Sequence, residues 1–328
     1  MNRVDRVLAR IGRAAEHHDP RGLPLAFGRS ALAAAQLAVL AANSDRVLFH
    51  STVTWDCDGV RAPGLWCLTG TAGPGAVLAR AVAVVVLVAV LVGFRPRWTC
   101  VPHWYVAFSF AADATATNGG DRVTQVATAL LVPLCLGDDR VWQWGAVRGP
   151  LPPHWRGAAL AGLLGIRVQL CLMYLAAAVS KLGDPEWRRG TALHLVLHDP
   201  DYGASASVRD ALGPVLGSYW LMALATWAVI AAQLVLAVTV LGGPAARRAA
   251  LVLGTALHVA IGVVLNLPAF GLAVIALLVV GCAAPGSGGP VEGEREGGAR
   301  WWAAQGWVSR WVASRWSRST RDGPGRRS

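Results

Sequence analysis

The sequence predicts an all-α fold, a polytopic integral membrane bundle of about eight transmembrane helices. Three observations carry that prediction. Of 328 residues, 54% are hydrophobic and 15% charged, and the mean hydropathy is +0.44. Near-continuous Ala/Val/Leu runs recur at about 20 residues, the length that crosses about 30 Å of hydrocarbon as a helix. The arginines gather in short clusters between these runs and in a C-terminal tail, as membrane topology requires.

Taken in order, the runs place helices near 24–42, 76–94, 101–116, 122–137, 157–181, 218–242, 248–265 and 268–284, the third and fourth being short. Eight spans put both termini on one side. That side then holds 20 basic residues, against seven in the opposite loops and three within spans, Arg29, Arg80 and Arg167. The excess assigns the termini to the cytoplasm. It also accounts for the net charge of +11 without nucleic acid as a partner. Met1 to Arg21 is polar and charged with no apolar segment and cleavage site directly after it, so the first span is expected to remain as an anchor.

Three regions follow from this pattern. Residues 1–23 form a basic cytoplasmic N-terminus and 24–284 the transmembrane domain, with long outer loops near 43–75 and 182–217. Residues 285–328 read as a Gly-rich linker and a basic Trp/Arg tail whose spacing suits an amphipathic helix on anionic membrane lipid.

The first outer loop contains "WDCDGVRAPGLWC", with Cys57 and Cys67 ten positions apart. An exported pair at this spacing is expected to close a disulfide, and a staple that shapes the loop outweighs a redox role, since no C-x-x-C is present. The second outer loop carries "TALHLVL", expected to form a short helix along the membrane surface and to cap a cavity.

Charge and hydrogen-bonding capacity inside a span are costly, so each such residue marks a candidate site. These are Arg29, Asp113, Arg167, Gln169, Gln233 and His258. Several are expected to meet in the bundle, and an Arg29 or Arg167 pair with Asp113 would satisfy both charges. His103 lies in an aromatic segment at an interface, and Asn118 and Asp121 in the turn "NGGDR". No metal-ligand spacing, phosphate-binding glycine loop or nucleophile triad is present.

One residue stands apart by type. Of 30 basic residues 29 are arginine, and the single lysine, Lys181, sits where a hydrophobic run stops. Either side chain anchors a helix end. Only an amine can lose its proton on burial and then act as base or nucleophile, because guanidinium stays charged.

"YLAAAVSKLGDPEWRRGT", Tyr174 to Thr191, resembles the lysine segment of the HTTM superfamily, which includes the vitamin K-dependent gamma-carboxylases: Lys-Leu, a short acidic spacer, Trp, Gly and a small residue. "LHVAIGVVLNLPAFGLAV", Leu257 to Val274, is similar to a later helix of that superfamily, with His followed about twelve residues on by Phe. "GFRPRWTCVPHWYVAFSF", "NGGDRV", "DDRVWQW" and the two-cysteine loop look closest to the SdpB-like branch, the sporulation-delaying protein B family. The likeness covers roughly residues 24–284.

The superfamily resemblance implies a reduced quinone as cofactor and a lysine base, a role that falls on Lys181, with His258, Trp187 and Thr191 in the matching motifs. The SdpB-like branch implies maturation of a secreted antimicrobial toxin peptide in a bacterial cytoplasmic membrane, beside an SdpA-type partner and a toxin precursor. Ser180 stands where carboxylases often carry a second lysine, and no large exported domain is expected after the helices. Those departures favour toxin maturation over peptide carboxylation. A non-catalytic membrane partner or immunity component is the alternative, and a transporter is disfavoured by the lack of an inverted repeat.

Overall fold

A computed structural model describes residues 16, 18–49, 57–115, 119–147 and 149–283. The described chain is predominantly helical: α1 (Leu23–Ala42), α2 (Asp45–Phe49), α3 (Leu65–Thr69), α4 (Gly73–Val92), α5 (Pro96–Asp113), α6 (Gly119–Cys135), α7 (Pro153–Gly183), α8 (Pro185–Arg189), α9 (Ala192–Leu197), α10 (Ala206–Ala211), α11 (Gly213–Leu216), α12 (Tyr219–Thr239), α13 (Pro244–Val264) and α14 (Pro268–Cys282). Among the described residues the sole extended pairing is an isolated antiparallel bridge between Phe94 and Trp142.

The eight long helices correspond to the eight predicted runs, so the all-α membrane class stands. Five of them, α1, α4, α7, α12 and α13, are long and apolar enough to cross a bilayer by themselves, and α14 is apolar but shorter. Five start three to five residues before the apolar run does, at Gly73, Pro96, Gly119, Pro153 and Pro244. Proline accompanies four of these starts: it sits at the first or second position of six of the eight helices, where its missing N–H costs nothing and its fixed φ favours the helix. A hydropathy run discounts that polar or Pro-bearing first turn.

α14 is the central element, packed against α1, α6, α7 and α13. It is apolar on all sides and buried along most of its length, as a helix surrounded by others must be. α1 approaches it closely at Gly28, where an added Cβ would lie 2.2 Å from Val280 Cγ2. Small residues at such crossings let backbones come together when lipid supplies no hydrophobic drive. α4, α12 and α13 instead leave large apolar side chains exposed, including Val85, Leu224, Val238, Val252 and Val263, which suits contact with lipid tails.

The bundle has two unlike ends. At the arginine-rich end, residues 93–95 and 141–143 pair through Arg95 N–H to Val141 O and Gln143 N–H to Gly93 O, both within 2.9 Å. At the opposite end α2 and α3 cover one half. There Trp66 is fully buried, stacked on Phe49 at 4.7 Å and edge-on to Phe110 at 6.0 Å. The loop 182–217 covers the other half. Its predicted surface helix is α9, and Leu197, Ala204 and Met222 form a small separate core with Leu193, Val208, Leu212 and Leu265 around it. The linker and tail expected over 285–328, and most of the basic N-terminus, lie outside the described residues.

Candidate functional site

Lys181 occupies the last turn of α7, half-buried. Its ammonium lies 4.8 Å from the centre of the Trp187 ring and donates to Ala177 O at 3.4 Å. It makes no ion pair among the described residues. The acids nearby are already committed: Asp184 caps α8 by accepting from Glu186 N–H at 2.7 Å, and Glu186 accepts from Thr191 Oγ1 at 2.5 Å and pairs with Arg189 at 3.1 Å. The cation is thus held over an aromatic face with no carboxylate to neutralise it.

Local sequence explains how this turn is built. Asp184 and Pro185 supply cap and first-turn residue to α8, and Gly190 ends it at φ +80°, a left-handed conformation that glycine adopts without strain. Gly190 O then accepts from Thr226 Oγ1 of α12 at 3.1 Å, and a Cβ at Gly190 would meet Ala223 Cβ at 2.6 Å. The motif "KLGDPEWRRGT" is therefore a clamp fastening the end of α7 to α12.

Two turns before Lys181 on the same face of α7 lies Tyr174, fully buried. Its hydroxyl is 3.1 Å from His258 Nε2, and Phe270 of α14 stands edge-on to the imidazole at 5.4 Å. His258 Nδ1 is buried without a partner. Seven residues of helix separate Tyr174 from Lys181 by about 10 Å, so Lys181 and His258 line one column without touching. Tyr174 was not singled out from the sequence, although a tyrosine seven residues before the lysine, in an otherwise apolar run, was a usable signal.

Phe270 also reaches the N-terminus of α6, where a Cβ on Gly119 would lie 3.5 Å from its ring. Beside it a cavity of about 10 Å³, lined by Gln36, Gly120, Asp121, Thr124, Ala269 and Ala273, is of single-water size. Gln36 Oε1 is buried without a partner and Asp121 is buried. Gln169, on α7, donates to Val123 O at 2.8 Å and ties α7 to α6. Asn118 lies outside the described residues.

The predicted pairing of Asp113 with Arg29 or Arg167 does not occur. Asp113 Oδ2 accepts from Trp66 N–H at 3.0 Å and Cys67 N–H at 3.4 Å, the first turn of α3. Cys67 is in turn joined to Cys57 by a disulfide. A buried carboxylate therefore caps the short helix that bears the disulfide.

Arg29 is at the other end of the bundle, about 1% exposed, donating to Gln143 Oε1 at 2.6 Å and Thr99 Oγ1 at 2.9 Å. Gln143 Nε2 donates onward to Ser30 Oγ at 2.8 Å and Ala26 O at 3.1 Å. His103 is buried too, with Nε2 unpartnered. Arg167 donates from Nε to Gly281 O at 2.8 Å. The polar residues inside the bundle thus fall into separate groups rather than one cluster. Lys181, Trp187 and Thr191 share one, with His258 and Tyr174 beneath them.

Comparison with known proteins places this geometry in context. The chain is 29% identical over 253 residues to the sporulation-delaying protein SdpB of Bacillus subtilis strain 168, covering 76% of this chain and 78% of that one. It is also 29% identical over 197 residues to the uncharacterized protein YitO of the same strain, across 60% of this chain and 63% of that one. No family model matches. No solved structure matches. The SdpB-like resemblance read from the motifs is supported directly by the first of these relatives.

Proposed function

We propose that this multi-pass protein acts in a bacterial cytoplasmic membrane, both termini inside, in the production or maturation of an exported antimicrobial peptide of the sporulation-delaying type. The name of the relative SdpB and the coverage of its length support the toxin system. The site supports an outward-facing role: the sole lysine of the chain, unpaired with any acid among the described residues, stands at the disulfide end above the buried Tyr174–His258 pair. In this reading Lys181, as its neutral amine, takes a proton from the precursor peptide and becomes the ammonium that Trp187 and Ala177 O hold, and Tyr174–His258 positions the floor of the site. A toxin precursor and an SdpA-like protein are its partners.

The residues around His258 do not fit the reduced quinone that the superfamily resemblance implies. Tyr174, Phe270 and the backbone of Gly271, where a Cβ would lie 2.5 Å from His258 O, close around the histidine.

A non-catalytic second reading draws on one observation. An ammonium bonded to a carbonyl of its own last turn and stacked on Trp187 is also what a helix anchor looks like. Arginine would serve an anchor equally well. The test is mature peptide measured by mass spectrometry in strains carrying each variant at matched membrane abundance. Lys181→Arg and Lys181→Ala are both expected to lower output on the order of a hundredfold, the range of a lost acid–base group. Normal output from Lys181→Arg reduces Lys181 to an anchor and leaves the partner or immunity reading. His258→Ala is expected to lower output with the protein still in the membrane; loss of the protein itself would make the histidine structural.

A further inference from the structure

A cavity of about 190 Å³ opens at the arginine-rich end of the bundle. It is lined by His18, Arg167 and Arg247, with Leu134, Leu160 and Leu163 among its apolar walls. A single water needs about 10–15 Å³, so this space takes a group of many atoms.

The charges in it are one-sided. Arg167 projects from the middle of α7 and Arg247 from the start of α13, where the helix N-terminus is already positive. Each uses one N–H on a backbone carbonyl, Arg167 to Gly281 O at 2.8 Å and Arg247 to Gly242 O at 2.6 Å. Neither makes an ion pair among the described residues. Among the described residues no acid lines the cavity, and the nearest in sequence, Asp19, is held by Arg21 at 2.7 Å. His18 Nε2 is buried with no partner, and burial pushes the imidazole below its ordinary range, with Asp19 opposing and Arg167 adding to the effect. Two guanidiniums, most of their donors unused, thus face an apolar space. An intramembrane cation normally finds a counter-charge, and here no described residue supplies one in the cavity.

We propose that this cavity is a binding site for an anionic phospholipid, its phosphate held by Arg167, Arg247 and His18 and the first carbons of its chains against Leu134, Leu160 and Leu163. Basic pockets between helices at an arginine-rich membrane face suit a phosphate-bearing lipid headgroup. Guanidinium matches phosphate through paired N–H donors. The apolar walls distinguish a lipid from a free oxyanion. The site is separate from the Lys181 region, and its occupancy is read without any toxin assay.

Native mass spectrometry of the full chain in detergent, mixed with phosphatidylglycerol, phosphatidylcholine or inorganic phosphate, tests it. Phosphatidylglycerol is expected to remain bound to the unaltered chain and to bind about tenfold more weakly to R167Q or R247Q, the loss of one charge-assisted hydrogen bond. R248Q, on the same turn but exposed, is expected to bind as the unaltered chain does. R167K, which keeps the charge, separates lost binding from lost folding by recovering part of the affinity. Equal binding of phosphatidylglycerol by R167Q, R247Q and the unaltered chain overturns the site. Displacement of the lipid by equimolar inorganic phosphate, or equal retention of phosphatidylcholine, overturns the anionic-lipid assignment.

Discussion

Arg29 shows what a single buried charge demands. It is 1% exposed, and its partners are neutral: Gln143 Oε1, 114 positions away, and Thr99 Oγ1. The cation itself was legible in the sequence, because an arginine within an apolar run has few places to go. Its partner was not, since an acid seemed the natural choice and the true acceptor sits in the segment "DDRVWQW", which the sequence marks by family likeness and not as a partner of Arg29. Removing one member of such a set leaves the other buried and unsatisfied, which costs more than removing both. Gln143→Ala is therefore expected to lower stability by about 2 kcal/mol or more, seen as a fall in melting temperature of the detergent-solubilised protein. The double replacement Arg29→Met with Gln143→Leu is expected to recover most of that loss. A double variant whose loss equals the sum of the two single losses would mean that the pair is not coupled.

At the scale of elements, the long helices were readable because hydropathy and length decide them, while the short ones depend on partners distant in sequence. α3 has five residues, too few to be stable alone, and exists because Asp113 caps its first turn from the end of α5 while Trp66 packs under it. Nothing in the local sequence of either segment announces that pairing; Asp113 read instead as an intramembrane acid that an arginine, Arg29 or Arg167, would neutralise. Gly64, just before α3, is bound into the same arrangement, since a Cβ there would fall 2.1 Å from Asp113 Oδ1. Asp113→Ala removes the cap and is expected to cost about 1 to 2 kcal/mol locally. The check is the rate at which Cys57 and Cys67 become alkylated under mild reductant. That rate should rise severalfold in Asp113→Ala and less in Asp113→Asn, which keeps an acceptor oxygen. An unchanged rate would show that the loop is held by the aromatic cluster alone.

For the whole molecule, chemistry is distributed by end. The disulfide, the Asp113 cap, Lys181 and the α8 clamp gather at one end, whereas Arg29, Arg140, Arg247 and the basic cavity gather at the other. Charge counting along the sequence anticipates this polarity without coordinates, because each connection alternates sides. It cannot anticipate which intramembrane groups meet, since that depends on helix order around α14. The polarity also makes the proposed orientation testable. In that orientation the disulfide would lie in an oxidising compartment and the arginine-rich connections inside, with the Lys181 end facing the exterior. With the other four cysteines replaced by alanine, a membrane-impermeant thiol reagent applied to intact cells should label Cys57 and Cys67 only after reduction. Labelling before reduction would mean that the pair is open in the cell. Labelling that requires permeabilised cells even after reduction would turn the molecule over, putting Lys181 in the cytoplasm, out of reach of an exported peptide, and the basic cavity in the outer leaflet.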